Sequence, residues 1–441
     1  MTMTVAKETK KQTTARDQDR AARVARAKAA ILKHTGQKPL VPPATQMAHC
    51  ATGSFAIDHL IGGTLGRDGK SICPGFPRRR LIEVYGPESS GKTTLLLSTM
   101  VQAQRAGGMA MFIDFEHALD MNYARAVGIS TDEDKWLFYQ PDNMEMGLMQ
   151  IAAGISAGFD IVGVDSVAGM VPKAELEKDL DDAAKIGAVA AKLARDLPKF
   201  VLWLAKYPVI GQGEVKKKDP DHPGTSLVFL NQTRSLISTS GYGGGGGDAE
   251  NTSGGKALKF FSYLRLRTSR IKSEVIERKD TITGKPRRFP YGNLTDVKVV
   301  KSKIDGKQGH STNVFIRYGF GIDDYYSIIE TGVVHKLIKK EGAYFVLNNE
   351  RYHGKDKLRS FLVGNPKSYE DIRGKILTAI SATAMTASPE ELNEDDRIME
   401  SMSEDDDDVS LEAVAEEVVE AAGDAASDDK GTDDKGGEGS E

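Results

Sequence analysis

Cysteine is nearly absent: Cys50 and Cys73 are the only two in 441 residues. Two cysteines make neither a zinc set nor a disulfide framework, and they suit a reducing compartment. The first 35 residues hold no apolar core of the signal-peptide kind. No apolar run approaches the roughly 20 residues that a membrane-spanning helix needs. These absences predict a cytosolic protein with no membrane partner. Charge is balanced only on the surface of the count. The net of −4 hides an acidic tail, for Glu390 to Glu441 holds 22 acidic and 3 basic residues. The remainder of the chain is a basic body with a net of +15, which suggests a polyanionic partner, although any single charge taken alone serves solubility.

Residues 1 to about 18 read as disordered, and 18–33 as a short basic helix with Val24, Ala27, Ile31 and Leu32 near one face. Such a helix is marginal alone and needs a surface to lie on. The centre alternates apolar strands at 81–85, 110–114, 136–140, 160–165 and 226–231 with amphipathic helices, including 144–157 and about 182–206. That alternation predicts an α/β fold with a mainly parallel sheet covered on both faces. Strand-like runs at 260–267, 296–304 and 312–318 extend the sheet at one edge. Residues 207–225 read as a loop inserted before a strand. A smaller basic unit follows from about Ile328, with a strand segment at 342–347 and a closing helix near 369–383. After Ala387 the composition is too acidic and too poor in apolar residues to fold.

"GPESSGKTT" begins at Gly86, directly between a predicted strand and a predicted helix. It matches the phosphate-loop pattern in the context that gives the pattern meaning. Backbone N–H groups of Glu88, Ser89, Ser90, Gly91, Lys92 and Thr93 can wrap phosphates at a helix N-terminus, and Gly86, Pro87 and Thr94 complete the candidate nucleotide-binding set. Lys92 supplies a cation and Thr93 a hydroxyl for Mg2+. Asp165 ends an apolar strand, where a carboxylate faces the ligand crevice of an open α/β sheet; it suits a hold on Mg2+ through water. Glu116, two residues beyond Asp114, is the candidate to orient the hydrolytic water. Within the strand-and-helix body sits a run of five glycines, Gly243 to Gly247, which cannot pack a core.

"GPESSGKTTL", "FIDFEHALDMNYARAVG", "QPD", "DSVAGMVPKAELE", "FLNQTR", "GGKALKFF" and "VKVVKSKI", taken in that order, closely resemble the bacterial RecA recombinase family over about residues 20–385. The resemblance implies a RecA-type ATPase core with an N-terminal helix, a small α+β C-terminal domain and a disordered acidic tail. The expected boundaries are 1–50, 51–327, 328–387 and 388–441. It implies an ATP-dependent recombinase that uses Mg2+, forms a head-to-tail helical filament on single-stranded DNA and pairs it with double-stranded DNA. A phage-encoded member would work in its host's cytoplasm.

Roles carry over where residues match. Glu116 positions water, Tyr123 stacks on adenine, and Tyr325 in "GIDDYY" lies near the base. Gln232 senses the γ-phosphate, and Lys301 with Lys303 reaches a neighbouring subunit's ATP. Ile186 and Gly187 belong to a first DNA loop at about 178–187. Arg234, Ile237, Glu250, Ser253, Gly254, Gly255 and Lys256 belong to the second, which contains the glycine run. Lys256 departs from the family's asparagine, the second loop is longer than the family pattern, and 66–76 and 207–225 read as insertions. A RecA-fold motor acting as a closed ring shares the phosphate loop and Asp165. "EHALD", the glycine loop and the basic C-terminal unit favour the recombinase.

Overall fold

The structure, a computed structural model, describes residues 23–31, 33, 47–63, 71–178, 187–206, 209–210, 217–218, 222–234, 251–252, 254–279, 285–304 and 308–386. The segments expected to be disordered, 1–18 and 388–441, and the glycine run lie outside these residues. Residues 23–31 are helical, with Val24 and Ile31 exposed in the isolated chain.

A ten-stranded sheet organises the body. Its strands are β1 (Arg80–Gly86), β2 (Ala110–Asp114), β3 (Trp136–Tyr139), β4 (Ile161–Asp165), β5 (Ser226–Arg234), β6 (Asn251–Thr252), β7 (Leu264–Lys279), β8 (Pro286–Ser302), β9 (Ser311–Arg317) and β10 (Gly321–Ile322). The order across the sheet is β10-β9-β8-β7-β1-β5-β4-β2-β3, with β6 paired to β5. From β7 through β3 the neighbours run parallel, while β7, β8, β9 and β10 pair antiparallel. The helices are α1 (Phe55–Gly62), α2 (Lys92–Arg105), α3 (Met121–Val127), α4 (Met144–Ala157), α5 (Ala188–Lys206) and α6 (Gly255–Phe261).

The strands are buried on both faces, so their apolar residues are continuous and alternate between two cores. Ile82, Val84, Ala110, Phe112, Val228 and Leu230 pack with α2 on one face. Leu81, Met111, Ile113, Leu227 and Phe229 pack with α4 and α5 on the other. Glu83 is fully buried between β7 and β5, where its carboxylate meets Arg265 Nε at 2.6 Å and Asn231 Nδ2 at 2.9 Å. Breaking such a buried pair by removing one partner costs about 3–5 kcal/mol.

Two local expectations need correction. The run 260–267 is not one strand: Gly255–Phe261 is helical and β7 starts at Leu264. Leu258 is buried and Phe261 packs beside it against the α5 side of the sheet, a helical spacing read as a strand. Within 207–225, Val209–Ile210 pairs antiparallel with Lys217–Lys218, so the segment is not all loop.

The C-terminal unit has its own small core. Helices α7 (Asp324–Val334), α8 (Lys355–Gly364) and α9 (Pro366–Thr386) pack with a three-stranded sheet, β11 (Lys339–Glu341), β12 (Tyr344–Leu347) and β13 (Glu350–His353). Phe55 of α1 belongs to that core, and its N–H donates to Asp324 Oδ1 at 2.6 Å. A cavity of about 530 Å³ lies at this junction, lined by Phe55, Asp58, Arg317, Asp324, Tyr325 and Arg373. Loss of solvent pushes the Asp58 carboxyl up from 3.8 to about 8, although Thr52 donates to it and opposes the rise. A carboxyl with a raised native pKa holds a proton that the unfolded chain releases, so its contribution to stability falls as pH rises from about 4 to about 8. Asp58→Asn keeps the acceptor and removes the ionisation. It should match the wild type near pH 4 and exceed it at pH 8, by roughly 2–4 °C in Tm per kcal/mol relieved. Thermal unfolding across that pH range checks it; parallel curves for the two proteins would show that Asp58 does not titrate there.

Candidate active site

Parallel strands all present their C-terminal ends to one rim. Asp114 is registered against Asp165, and Gly86 against Gln232. The fold therefore gathers the phosphate loop, two aspartates and the glutamine without any help from loop sequence.

The chain leaves β1 through exposed Pro87, Glu88 and Ser89 and enters α2 at Lys92. Gly91 has φ +91°, and a Cβ there would stand 2.1 Å from Ile316 Cδ1. The left-handed backbone favours glycine there, whereas the Ile316 tip could swing aside. Lys92 is buried, and its ammonium donates to the carbonyls of Gly86 at 3.0 Å and Pro87 at 2.7 Å. Burial holds its pKa below the ordinary lysine value, opposed by Asp165, Glu116 and Glu88. Ser90 Oγ lies 2.7 Å from Thr268 Oγ1, which pins the loop to β7.

Thr93 Oγ1 donates to Asp165 Oδ2 at 2.7 Å. Burial pushes the Asp165 carboxyl up to about 6, with Glu116 and Asp114 adding to the rise. A hydroxyl beside a carboxylate suits a hard cation that keeps several waters and takes its remaining ligands from phosphate. Among the described residues no group of three His, Cys, Asp or Glu side chains forms a metal cage.

Glu116 stands at the centre. Its Oε1 accepts from Gln232 Nε2 at 2.8 Å and from Ser166 Oγ. Asp114 holds the turn that presents it, accepting from the N–H groups of Glu116 at 3.0 Å and Leu119 at 3.2 Å and from Gln140 Nε2 at 3.1 Å. Sequence reading overlooked Asp114, Gln140 and Ser166 as site residues. The signal was available in "FID", "QPD" and "DS", each at the end of a predicted strand.

A second cavity, of about 490 Å³, opens beside the loop. It is lined by Ser89, Gly91, Lys92, Thr93, Thr94 and Tyr123, and from the other side by Arg270, Asn293, Ile316, Tyr318 and Gly319. Tyr123 and Thr94 hydroxyls lie 2.6 Å apart, and Tyr318 donates to Asn293 Oδ1 at 2.8 Å. Tyr325 does not line this cavity, which corrects the expectation placed on it. Its ring packs on Tyr369 with centroids 4.8 Å apart, inside the C-terminal unit. Tyr318, in "RYGFG" seven residues earlier, is the aromatic that faces Tyr123's cavity.

Lys301 and Lys303 are not brought to this chain's own phosphate loop. Lys301 pairs in register with Arg265, which pairs with Glu83, three residues before Gly86. Lys301 Nζ donates to the carbonyls of Lys259 and Phe260, both at 2.9 Å, capping the C-terminal end of α6. Burial, with Lys303 and Arg265 nearby, lowers its pKa. Lys303 is exposed.

Of the DNA-loop residues, Ile186, Ile237, Glu250 and Ser253 lie outside the described residues. Arg234 ends β5 with its backbone paired to Asn251, so both ends of the glycine-bearing segment meet at the rim next to Gln232. Gly254 and Gly255 have φ +83° and +70° and start α6, and Lys256 is exposed. Gly187, at the start of α5, has φ +83°.

The model of the RecA N-terminal domain matches residues 27–323, and that of the RecA C-terminal domain matches 326–381. The chain belongs to the RecA family. It is 38% identical over 354 residues to Protein RecA of Salinispora tropica, covering 79% of this chain and 87% of that one. Protein RecA of Leifsonia xyli is 38% identical over 336 residues, covering 76% and 81%. The DNA repair protein recA homolog 3, mitochondrial, of Arabidopsis thaliana is 36% identical over 327 residues, covering 74% and 66%. The class of activity is the RecA family's: DNA-dependent ATP hydrolysis in recombination and repair. Among the described residues no helix is long and apolar enough to cross a membrane.

The two tyrosines separate experimentally. Loss of one base-stacking ring costs about 1–3 kcal/mol, so Tyr318→Ala should weaken ATP binding at least about fivefold, while Tyr325→Ala leaves it within about twofold. Equilibrium binding of a fluorescent ATP analogue measures both. The reverse ranking would restore the original assignment.

Proposed function

We propose that this RecA-family chain polymerises head to tail on single-stranded DNA and uses ATP, bound at the seam between protomers, to close its DNA loops. The observation that carries the reading is the Glu116–Gln232 hydrogen bond, which joins the hydrolytic side of the site to the strand that leads into the second loop. Backbone N–H groups of residues 88–93 cradle the phosphates, and Lys92 moves from the Gly86 and Pro87 carbonyls onto the β- and γ-phosphate oxygens. Thr93 and, through water, Asp165 hold Mg2+, which when bound offsets charge on those oxygens. Glu116 orients the attacking water and Gln232 turns its amide to the γ-phosphate. Tyr123 and Tyr318 flank the base.

Lys301 and Lys303 serve the neighbour's nucleotide. The Lys301 ammonium is held on the Lys259 and Phe260 carbonyls, and Lys303 is exposed; two cations arriving across a boundary would stabilise phosphoryl-transfer charge as trans arginines do. A heterologous interface that does not close gives a filament and not a ring. Arg234, Gly254, Gly255 and Lys256, with Ile186, Gly187, Ile237, Glu250 and Ser253, would contact the single strand; phosphate contacts set affinity without reading sequence. Lys336, Lys339, Lys340 and Lys357 are exposed on the C-terminal unit and are suited to gather duplex DNA. Lys355 and Arg359 are less available, being bonded to Glu330 and Asp323. The acidic tail would compete with duplex for such surfaces. We place the protein in the cytoplasm, with units at 1–50, 51–327, 328–387 and 388–441.

Subunit mixing tests the shared site. Lys92→Ala lacks its own loop cation, and Lys301→Ala/Lys303→Ala lacks the cations given to its neighbour. Each alone should lose DNA-stimulated ATP turnover. In an equal mixture roughly a quarter of the interfaces pair an intact loop with intact lysines, and turnover should return to about that fraction. A mixture as inactive as its parts would place the lysines outside the reaction.

A further inference from the structure

The cavity of about 530 Å³ between the ATPase body and the C-terminal unit has no part in the site described above. Its size falls in the range of roughly 300–1,000 Å³ that small-molecule sites occupy. It shares no lining residue with the cavity beside the phosphate loop, although three stretches of chain line both. Helix α2 gives Thr93 and Thr94 to the phosphate-loop cavity and Val101 and Arg105 to this one. Helix α3 divides Tyr123 and Val127 in the same way, and the turn from β9 to β10 divides Tyr318 from Arg317 and Phe320. The C-terminal unit adds Arg359 of α8 and Tyr369 and Arg373 of α9.

Four arginines line the cavity, and two of them are committed. Arg359 bonds Asp323, and Arg373 pairs with Glu370 at 3.4 Å. Arg105 and Arg317 have no carboxylate partner among the described residues. The Arg317 guanidinium lies over the Phe320 ring, 4.3 Å from its centroid, and a guanidinium stacked on a ring keeps its edge N–H groups for an anion. Burial holds the Asp58 and Asp324 carboxyls above the ordinary carboxylate value, so the cavity is less negative than its acidic side chains imply. Both already accept donors from the chain, Asp58 from Thr52, and Asp324 from the Phe55 N–H and the Tyr369 hydroxyl. Asp323 differs. Its Oδ2 accepts from Arg359, while its buried Oδ1 has no hydrogen-bond partner among the described residues. Leaving a buried acceptor unsatisfied is costly, and a ligand hydroxyl supplies the missing donor.

We propose that this cavity is a second small-molecule site, for a hydroxyl-bearing phosphomonoester of sugar-phosphate size, with its phosphate on Arg105 and Arg317 and a hydroxyl on Asp323 Oδ1. Guanidinium forks match the oxygens of a terminal phosphate better than a point charge does. The open acceptor on Asp323 selects for a donor that a bare anion at its most charged lacks. Because Asp323 also holds Arg359 of α8, an occupant ties α2 of the body to the C-terminal unit. The site stands independently of how ATP is used.

The test is calorimetric titration of ribose 5-phosphate into the full chain, with Mg2+ and a saturating non-hydrolysable ATP analogue keeping the phosphate loop filled. Ribose 5-phosphate should bind once per chain, at least about tenfold more tightly than inorganic phosphate or ribose, since each of those lacks one set of hydrogen bonds. Arg105→Gln/Arg317→Gln should weaken it by at least about tenfold, as loss of charge-assisted hydrogen bonds does, while the ATP analogue binds within about twofold of wild type. Arg105→Gln alone changes only an exposed helix end and should cost at least about threefold; it keeps the test decisive if the double variant does not fold. Absence of binding to the wild type overturns the site. So does equal binding by wild type and Arg105→Gln, or ribose binding as well as ribose 5-phosphate. Displacement of the sugar phosphate by a short DNA duplex also overturns it, by assigning the two arginines to a nucleic-acid backbone.

Discussion

Gln232 sits beside Gly86 in the sheet and donates to Glu116 across the rim. One residue is thus registered against the start of the phosphate loop and bonded to the Glu116 carboxylate, and two residues later β5 ends at Arg234, where the glycine-bearing segment begins. Rigid parallel strands make this contact precise. Asp114 fixes the Glu116 turn, and the buried Glu83–Arg265–Asn231 cluster fixes β5 and β7 against β1. On the proposed reading, the amide exchanges the Glu116 carboxylate for a phosphate oxygen when nucleotide binds.

The second loop needs such a lever. Its glycines lose more conformational freedom on ordering than any other residue type. On the proposed reading, closure is driven by contacts that exist only when nucleotide and DNA are both present. Lys301 offers a parallel route. It caps α6, the helix that follows the loop, through the carbonyls of Lys259 and Phe260. On the proposed reading, a phosphate on the neighbouring protomer competes for the same ammonium, and the far end of the loop segment then feels occupancy of a nucleotide site.

Much of this was legible in the sequence because it rests on local pattern. Apolar strands with no polar alternation announced a sheet buried on both faces, and the phosphate loop fell between strand and helix as its chemistry demands. Glu116 and Asp165 were read as candidates from their places at strand ends, and Gln232 from the family resemblance. What stayed hidden depends on tertiary placement. Tyr318 and Tyr325 stand seven residues apart in "YGFGIDDY", and only the turn into β10 and α7 sends one to the cavity beside the phosphate loop and the other to Tyr369. The helical start of "GGKALKFF" was masked by the strand that follows it. The length of β7 and β8 past their neighbours could not be read from 260–267 and 296–304 alone, since strand length past the sheet is a property of neighbours.

The central claim is that Gln232 transmits nucleotide state to the DNA loop. The most direct measurement is single-stranded DNA affinity of Gln232→Ala and wild type, each with and without a non-hydrolysable ATP analogue. The account predicts that the analogue tightens DNA binding strongly in the wild type and hardly at all in the variant, although the variant still binds the analogue. Equal tightening in both proteins would contradict it.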